Sequence, residues 1–468
     1  MDYDRLDKLI DKALNYETDN YLANINLKRE VTDKLLLYQY RHVFTLLSAF
    51  RYNNVVLDGS DTGTGKTYTA IAICKQLNWK PFIICPKSII SNWNNVCKHF
   101  NINPLGISNY SAIKKGKQYD KDGNKINSPF LTINTDYNDE RMFKWNLPKN
   151  TLIIFDEVHL CNNPKTIQGK LLKSTKNLDH VLMISATISD KHETFGIYGY
   201  MFGFYDSMKK ASGWIKSMIR EDMRHIGITK LNSINKSIYP EKGSRMRIAE
   251  LGNKFPENQV SANSYNIGSK VTKQLNELFE SIKEGLIKMN VDKLNNTHVL
   301  AEITKARMKI ELHKIPIFIN LINEYMQNGF AVVVFVNYKE TLTRLAENFK
   351  TTSVIHGDQT MTERDEVINN FQLNNTNLII CTIGSGALGV SLHDLYGVPR
   401  VSLISPTYSS IQLTQVLGRI YRAGAKSPAI QRIIYSANTC EEAICARVNA
   451  KLKFTADLND NDLIEIRS

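Results

Sequence analysis

Short, continuous apolar runs alternate with stretches of helical spacing along much of the chain. In the first half VVLDG (55–59), FIICP (82–86), TLIIFDE (151–157) and VLMISAT (181–187) read as strands, and GKTYTAIAICKQL (65–77) reads as a helix after the first of them. Strands apolar at successive positions are buried on both faces, and such strands separated by helices build a parallel sheet covered on both sides. Ahead of them, residues 1–50 carry apolar positions near a 3.6-residue period (Leu6, Leu9, Ile10, Ala13, Leu14; then Leu35, Leu36, Phe44, Leu47), which predicts helices. The alternation stops after about residue 190. Residues 200–300 carry helical spacing and basic side chains, with no repeating strand. It resumes with AVVVFV (331–336), SVIHG (353–357), LIICT (378–382), VSLISP (401–406) and IIYSA (433–437). The expected fold class is therefore α/β: two parallel-sheet domains in tandem with a basic, mostly helical segment between them. The expected boundaries are an N-terminal helical extension (1–32), a first domain (33–200), a helical linker or insertion (201–300), a second domain (301–450) and a tail (451–468). KKGKQYDKDGNKINS (114–128) reads as a polar hairpin with Asp122-Gly123 at its turn.

Composition narrows the partners. The 468 residues exceed one ordinary core. The formal charge of +13 favours an anionic partner, nucleic acid first. The excess is concentrated: Lys209 to Lys254 holds 11 Lys and Arg against 4 Asp and Glu, a net of +7. No apolar run reaches the roughly 20 residues of a membrane helix, and MDYDRLDKLIDKAL is too polar for a secretory leader. The seven cysteines are scattered without a CxxC pair. That argues against a disulfide framework or zinc site and for a reducing intracellular compartment, cytoplasm or nucleus. Trp93 and Trp214 are expected in the core.

SDTGTGKTYTAIAI (60–73) carries the first chemistry. In a phosphate-binding loop, consecutive backbone N–H groups wrap a polyphosphate at the positive end of a helix. Glycine permits the close approach, a lysine neutralises charge, and a hydroxyl reaches Mg²⁺. Gly63, Gly65, Lys66 and Thr67 fill those roles between a strand and a helix, with Ser60, Thr62 and Thr64 completing the ATP loop. The strict pattern has glycine where Ser60 stands; here Gly59 comes one place early. The metal also needs a carboxylate and the attacking water an orienting group, both at the end of a neighbouring parallel strand. TLIIFDEVH offers Asp156 for the metal and Glu157 for the water, with His159 placed to link them to the next motif. Alone, such an acidic pair is a solvated strand end; about 90 residues after a phosphate loop it is a strong signal. In QVLGRIYRAGAKS (415–427), Gln415, Arg419 and Arg422 are spaced to share one face of a helix and to stabilise transition-state charge.

With these pieces the chain resembles the superfamily 2 DExH helicases and translocases over roughly residues 33–450, which implies two RecA-like domains, ATP and Mg²⁺. LLLYQYRHV (35–43) resembles the adenine-reading motif, with Gln39 on the base. ICPKSIISNW (84–93) resembles motif Ia, which implies nucleic-acid contacts from Pro86, Lys87 and Ser88. FDEVHLCNNPKT (155–166) resembles the DExH box in its Swi/Snf-like form. MISATIS (183–189) resembles motif III, with Ser185, Ala186 and Thr187 coupling hydrolysis to movement. FVNYKETLTRLAENF (335–349) and IHGDQTMTERDEVINNF (355–371) resemble motif IV and the segment after it. CTIGSGALGVSLHD (381–394) resembles motif V, with Thr382 toward nucleic acid and Gly389 toward ATP. QVLGRIYRAG resembles motif VI, though remodellers read closer to DRAHRIG there. The spacing of the second half is similar to helicases of large nucleocytoplasmic DNA viruses, which adds a virion or viral factory to the expected locations.

Three functions are weighed. One is a translocase tracking along nucleic acid, DNA rather than RNA and duplex rather than single-stranded. Another is a strand-separating DNA or RNA helicase. The third, from another class, is a nucleotide-gated scaffold without turnover; its mark would be loss of Lys66, Glu157 or Arg422, and all three are present. Protein partners are unknown from the sequence, with transcription or replication machinery as the candidates.

Overall fold

The computed structural model describes residues 27–446, apart from 121–122, 136–140, 189–191, 227–231, 252–254, 290–295, 387–389, 408 and 443. Most of the expected N-terminal extension, the whole 451–468 tail, Asp122 and Gly389 lie outside the described residues. The chain divides into two compact units, one up to Arg247 and one from Ile248 on, with Thr62–Thr64 grouped in the second. The division falls inside the stretch read as one basic linker. Among the described residues no helix is long and apolar enough to cross a membrane.

The first unit is built on strands β1 (Val55–Asp58), β2 (Lys80–Cys85), β3 (Gly106–Asn109), β4 (Lys117–Tyr119), β5 (Lys125–Asn127), β8 (Thr151–Asp156), β9 (Val181–Ile184) and β10 (Gly243–Ser244). They form one sheet in the order β10-β1-β9-β8-β2-β3-β4-β5. From β10 to β3 the pairing is parallel; β4 and β5 are the expected polar hairpin, added antiparallel at the edge. A second hairpin, β6 (Leu131–Thr135) with β7 (Arg141–Trp145), stands apart as its own ribbon. Helices α1 (Leu37–Phe50), α2 (Lys66–Leu77) and α3 (Ile90–His99) precede or follow the strands, and α4 (Ala211–Ile226) lies in the basic region. Asn78 stops α2 by entering the left-handed region at φ 55°.

Register decides what this unit can do. Asp58 pairs with Ser244 on one side and Ile184 on the other, and Ile184 pairs with Asp156. Four strand ends therefore form one row. The loop after β1, the Ser185–Thr187 segment after β9 and Glu157 after β8 all leave from that row, at the carboxyl edge where open α/β sheets bind ligands.

The second unit holds β11 (Asn258–Tyr265), β12 (Ala331–Val336), β13 (Val354–Ile355), β14 (Leu378–Thr382), β15 (Arg400–Ile404) and β16 (Ala429–Ser436), all parallel, in the order β11-β16-β15-β12-β14-β13. Its helices include α5 (Ile315–Gln327), α6 (Lys339–Asn348) and α7 (Ser410–Leu417). AVVVFV shows why an unbroken apolar run marks a central strand. Ala331, Val333 and Phe335 enter a core with Leu413, Val416 and Leu417 of α7. Val332, Val334 and Val336 enter the opposite core, with Phe318, Leu321 and Ile322 of α5 and Leu345 of α6. Each fully buried side chain of this kind contributes about 1.5–3 kcal/mol, so neither face of β12 tolerates a polar substitution.

Among the strands that escape the sequence pattern, the two at sheet edges show why. β10 spans only two residues, and β11 (NQVSANSY) is polar at most positions although it pairs with β16 along its whole length. It is an edge strand whose Val260 and Ala262 turn to one core and Tyr265 to the other, too few apolar positions to make an apolar run.

Candidate functional site

The loop from Gly59 to Lys66 turns from β1 into α2 with Gly63 and Gly65 at φ 83° and 91°. Only glycine adopts such angles without cost, and a Cβ on Gly65 would also come 2.3 Å from Gln39 Nε2. Gln39 itself is buried at the start of α1, where its Oε1 accepts the Leu36 N–H at 2.9 Å. The same residue thus closes the helix start and backs the loop. Lys66 sends its ammonium back over the loop, donating to the carbonyls of Ser60 (2.8 Å) and Asp61 (2.9 Å). Burial pulls its pKa down, against the carboxylates of Asp58, Glu157, Asp156 and Asp61. A desolvated ammonium in this position gains by meeting an anion.

Asp156 is held from two sides. Trp93 of α3, fully buried as expected, donates its indole N–H to Oδ2 at 2.8 Å, and the Glu157 N–H reaches Oδ1 at 2.9 Å. Burial, then the charge of Glu157, pushes the Asp156 carboxyl well above the usual range, with Trp93 and Lys66 opposing. Sequence reading placed Trp93 in the core and missed this bond. The available signal was chemical: a buried indole N–H seeks an acceptor. Glu157 itself stands in the left-handed region at φ 54°. His159 Nδ1 lies 3.3 Å from Glu157 Oε2 and 3.1 Å from Ser185 Oγ, and the Ser185 hydroxyl reaches the Thr187 carbonyl at 2.9 Å. A continuous polar path thus runs from the acidic pair to the Ser185-Ala186-Thr187 segment. Pro86, Lys87 and Ser88 follow β2 at the same sheet edge. Lys87 is exposed, and the Ser88 hydroxyl has no partner among the described residues. Trp214 is part of an aromatic stack with Phe204 and Phe195, at centroid distances of 4.8 and 6.1 Å.

In the second unit Thr382 ends β14 and Gln415 lies on α7. One expectation is corrected here. α7 stops at Leu417, so Arg419 and Arg422 follow the helix and do not share its face with Gln415. Gly418 leads the chain out of the helix. Both side chains still converge, because Arg419 Nη1 and Arg422 Nη2 donate to the Val390 carbonyl at 3.0 and 3.2 Å. Their Nε atoms donate back to the carbonyls of Gln415 (2.7 Å) and Gly418 (3.0 Å).

Two family descriptions match the chain: "Type III restriction enzyme, res subunit" over residues 32–190 and "Helicase conserved C-terminal domain" over residues 313–424. A protein of Acanthamoeba polyphaga mimivirus, named as an ATP-dependent RNA helicase, is 37% identical over 467 residues, covering 94% of this chain and 86% of its own. A Drosophila mojavensis DNA repair and recombination protein, RAD54-like, is 28% identical over 135 residues, 28% of this chain and 17% of its own. Among solved structures, the Sulfolobus solfataricus SWI2/SNF2 ATPase core in complex with dsDNA aligns over 94% of both chains at 16% identity and a TM-score of 0.36. Saccharomyces cerevisiae Dbp5 bound to RNA and ADP BeF3 aligns over 96% of this chain and 94% of its own, at 14% identity and a TM-score of 0.49. At such scores the likeness says nothing of substrate.

Proposed function

The chain belongs to the superfamily 2 helicases, which hydrolyse ATP, and from that premise we propose that it is a Swi/Snf-like motor whose hydrolysis drives movement along duplex DNA. The observation that carries the choice of duplex is the stretch Phe155–Thr166, where the acidic box runs on to Asn163-Pro164 in the wording of Swi/Snf-like motors. The competing reading, strand separation on RNA, rests on the name of the mimivirus relative.

In this reading the triphosphate lies on the Ser60–Thr67 loop, and the Lys66 ammonium exchanges the Ser60 and Asp61 carbonyls for phosphate oxygens. Gln39 reads the base. The Thr67 hydroxyl and Asp156 suit Mg²⁺, since a hard cation relieves the cost of a buried carboxylate pushed above its usual range. Bound there, the ion neutralises phosphate charge. Glu157 orients the attacking water, and His159 passes its state to Ser185 and Thr187. The family resemblance assigns Arg419, Arg422, Gln415 and Gly389 of the second unit to ATP as well. Pro86, Lys87, Ser88 and Thr382 grip the nucleic-acid backbone, so affinity falls steeply with salt.

Steady-state ATP turnover at low salt tests the substrate. Duplex DNA is expected to stimulate it at least tenfold over protein alone, and single-stranded DNA or RNA less. Stimulation by RNA alone would transfer the chain to the competing reading.

A second expectation concerns Trp93. Trp93→Phe keeps an aromatic ring in the core and deletes the N–H that steadies Asp156. A hydrogen bond to a charged group is worth about 1.5–3 kcal/mol, so the Mg²⁺ concentration giving half-maximal turnover is expected to rise about tenfold. A magnesium titration of ATPase rate checks this; an unchanged midpoint would remove Asp156 from the metal site.

A further inference from the structure

The nucleotide loop is strapped along one side. The N–H groups of Leu57, Gly59 and Asp61 donate to the carbonyls of Lys242, Ser244 and Met246 at 2.9, 3.0 and 3.0 Å. The parallel pairing of β1 with β10 thus continues past the strand into the loop itself. The Met246 N–H returns a bond to Ser60 Oγ at 2.9 Å, and Arg245 Nη2 meets Asp61 Oδ1 at 2.7 Å.

Beneath this strap is a buried polar knot centred on His42 of α1. Its Nε2 lies 3.0 Å from Asp58 Oδ2 and 3.3 Å from Ser60 Oγ, and its Nδ1 lies 2.8 Å from Ser244 Oγ. Asp58 also accepts the Ser60 N–H at 3.0 Å and the Thr69 hydroxyl at 3.1 Å. Asp58, Ser60 and Thr69 are 0% exposed, His42 4% and Ser244 8%. An Nε2–H aimed at Asp58 leaves Nδ1 facing the Ser244 hydroxyl, so the ring's two nitrogens serve two different strands. Burial raises the Asp58 carboxyl, but His42, Lys66 and the Ser60 bond outweigh it and hold it below the ordinary range.

One imidazole therefore ties together the last residue of β1, the loop position where the common pattern has glycine, and the strap. The Ser60 hydroxyl is used by both ring and strap, which gives this departure from the pattern a physical reason. We propose that His42 is a positioning residue for ATP: through Asp58, Ser60 and Ser244 it holds the loop in the shape that receives the triphosphate. The inference rests on the reading of Ser60–Thr67 as the ATP loop.

The test is binding of a fluorescent ATP analogue with Mg²⁺ to the full chain, beside steady-state ATPase, for wild type, His42→Ala, Ser60→Gly and the double variant. Each single change leaves buried groups without a partner, so each is expected to weaken the analogue and raise KM for ATP about tenfold, with a smaller change in kcat. Because both act on one knot, the double variant is expected within about twofold of His42→Ala. A purely structural role would lower the amount of active protein at unchanged KM. Ser60→Gly restores the glycine common in such loops, so it remains informative if His42→Ala does not fold. An unchanged KM in Ser60→Gly, or losses that simply multiply in the double variant, would overturn the proposal. If the wild type itself fails to bind the analogue, the ATP-loop reading falls first and the proposal with it.

Discussion

Glu157→Gln is expected to lower ATP turnover by about two to four orders of magnitude, the usual contribution of a positioned acid–base group, while nucleotide affinity holds or tightens. The amide keeps the size of the side chain and still offers an oxygen to His159, which lies 3.3 Å from the carboxylate. What it removes is the negative charge proposed to orient water. Removing that charge also relieves Asp156, whose carboxyl is pushed up by burial and then by Glu157. Asp156, the proposed metal ligand, thus becomes easier to ionise as turnover is lost. Single-turnover hydrolysis and analogue binding separate the two effects. Hydrolysis at the wild-type rate would move the water-orienting role to another residue.

Lys314→Ala is expected to destabilise the second unit by about 3–5 kcal/mol, because it strands a buried carboxylate. Lys314 is 0% exposed, and its ammonium meets both oxygens of Glu441 (2.8 and 3.0 Å), the Ser405 hydroxyl (3.1 Å) and the Ile434 carbonyl (3.1 Å). Glu441 in turn accepts the Ser436 N–H at 2.7 Å. The pair sits where the start of α5 meets the ends of β15 and β16. Deleting one partner leaves a desolvated charge, whereas Lys314→Met with Glu441→Leu replaces both by apolar volume and is expected to recover most of the loss. The four tryptophans, at 79, 93, 145 and 214, all belong to the first unit. Tryptophan fluorescence therefore does not report on this unit, and hydrogen exchange of β12, β15 and β16 in urea is the measurement. Equal protection in Lys314→Ala and wild type would contradict the argument.

Much of the fold was legible because central parallel strands are apolar on both faces. AVVVFV and LIICT match their observed strands residue for residue, and VVLDG and TLIIFDE differ only at one end. What was not legible was polar or short. β3 (GISN) is a four-residue strand of mixed polarity, and β11 takes its place by backbone pairing along an edge. The second hairpin, LTINT with RMFKW, has too few apolar residues to announce itself. The acidic box and the phosphate-type loop were readable because their chemistry needs particular residues at particular spacings. The partners that steady them were not. Trp93 lies 63 positions from Asp156 and Ser244 lies 202 from His42, distances that only the sheet register closes. The two arginines were assigned to the wrong local structure since spacing alone cannot tell a helix from the turn that ends it.

Position 157 sets the ease of folding against the proposed chemistry. A glutamate at φ 54° occupies backbone space that glycine or asparagine fills more cheaply. On the proposed role, the charge that orients water is what offsets that backbone cost. Glu157→Asn is therefore expected to fold more readily, to hold nucleotide still and, in the proposed reading, to lose turnover.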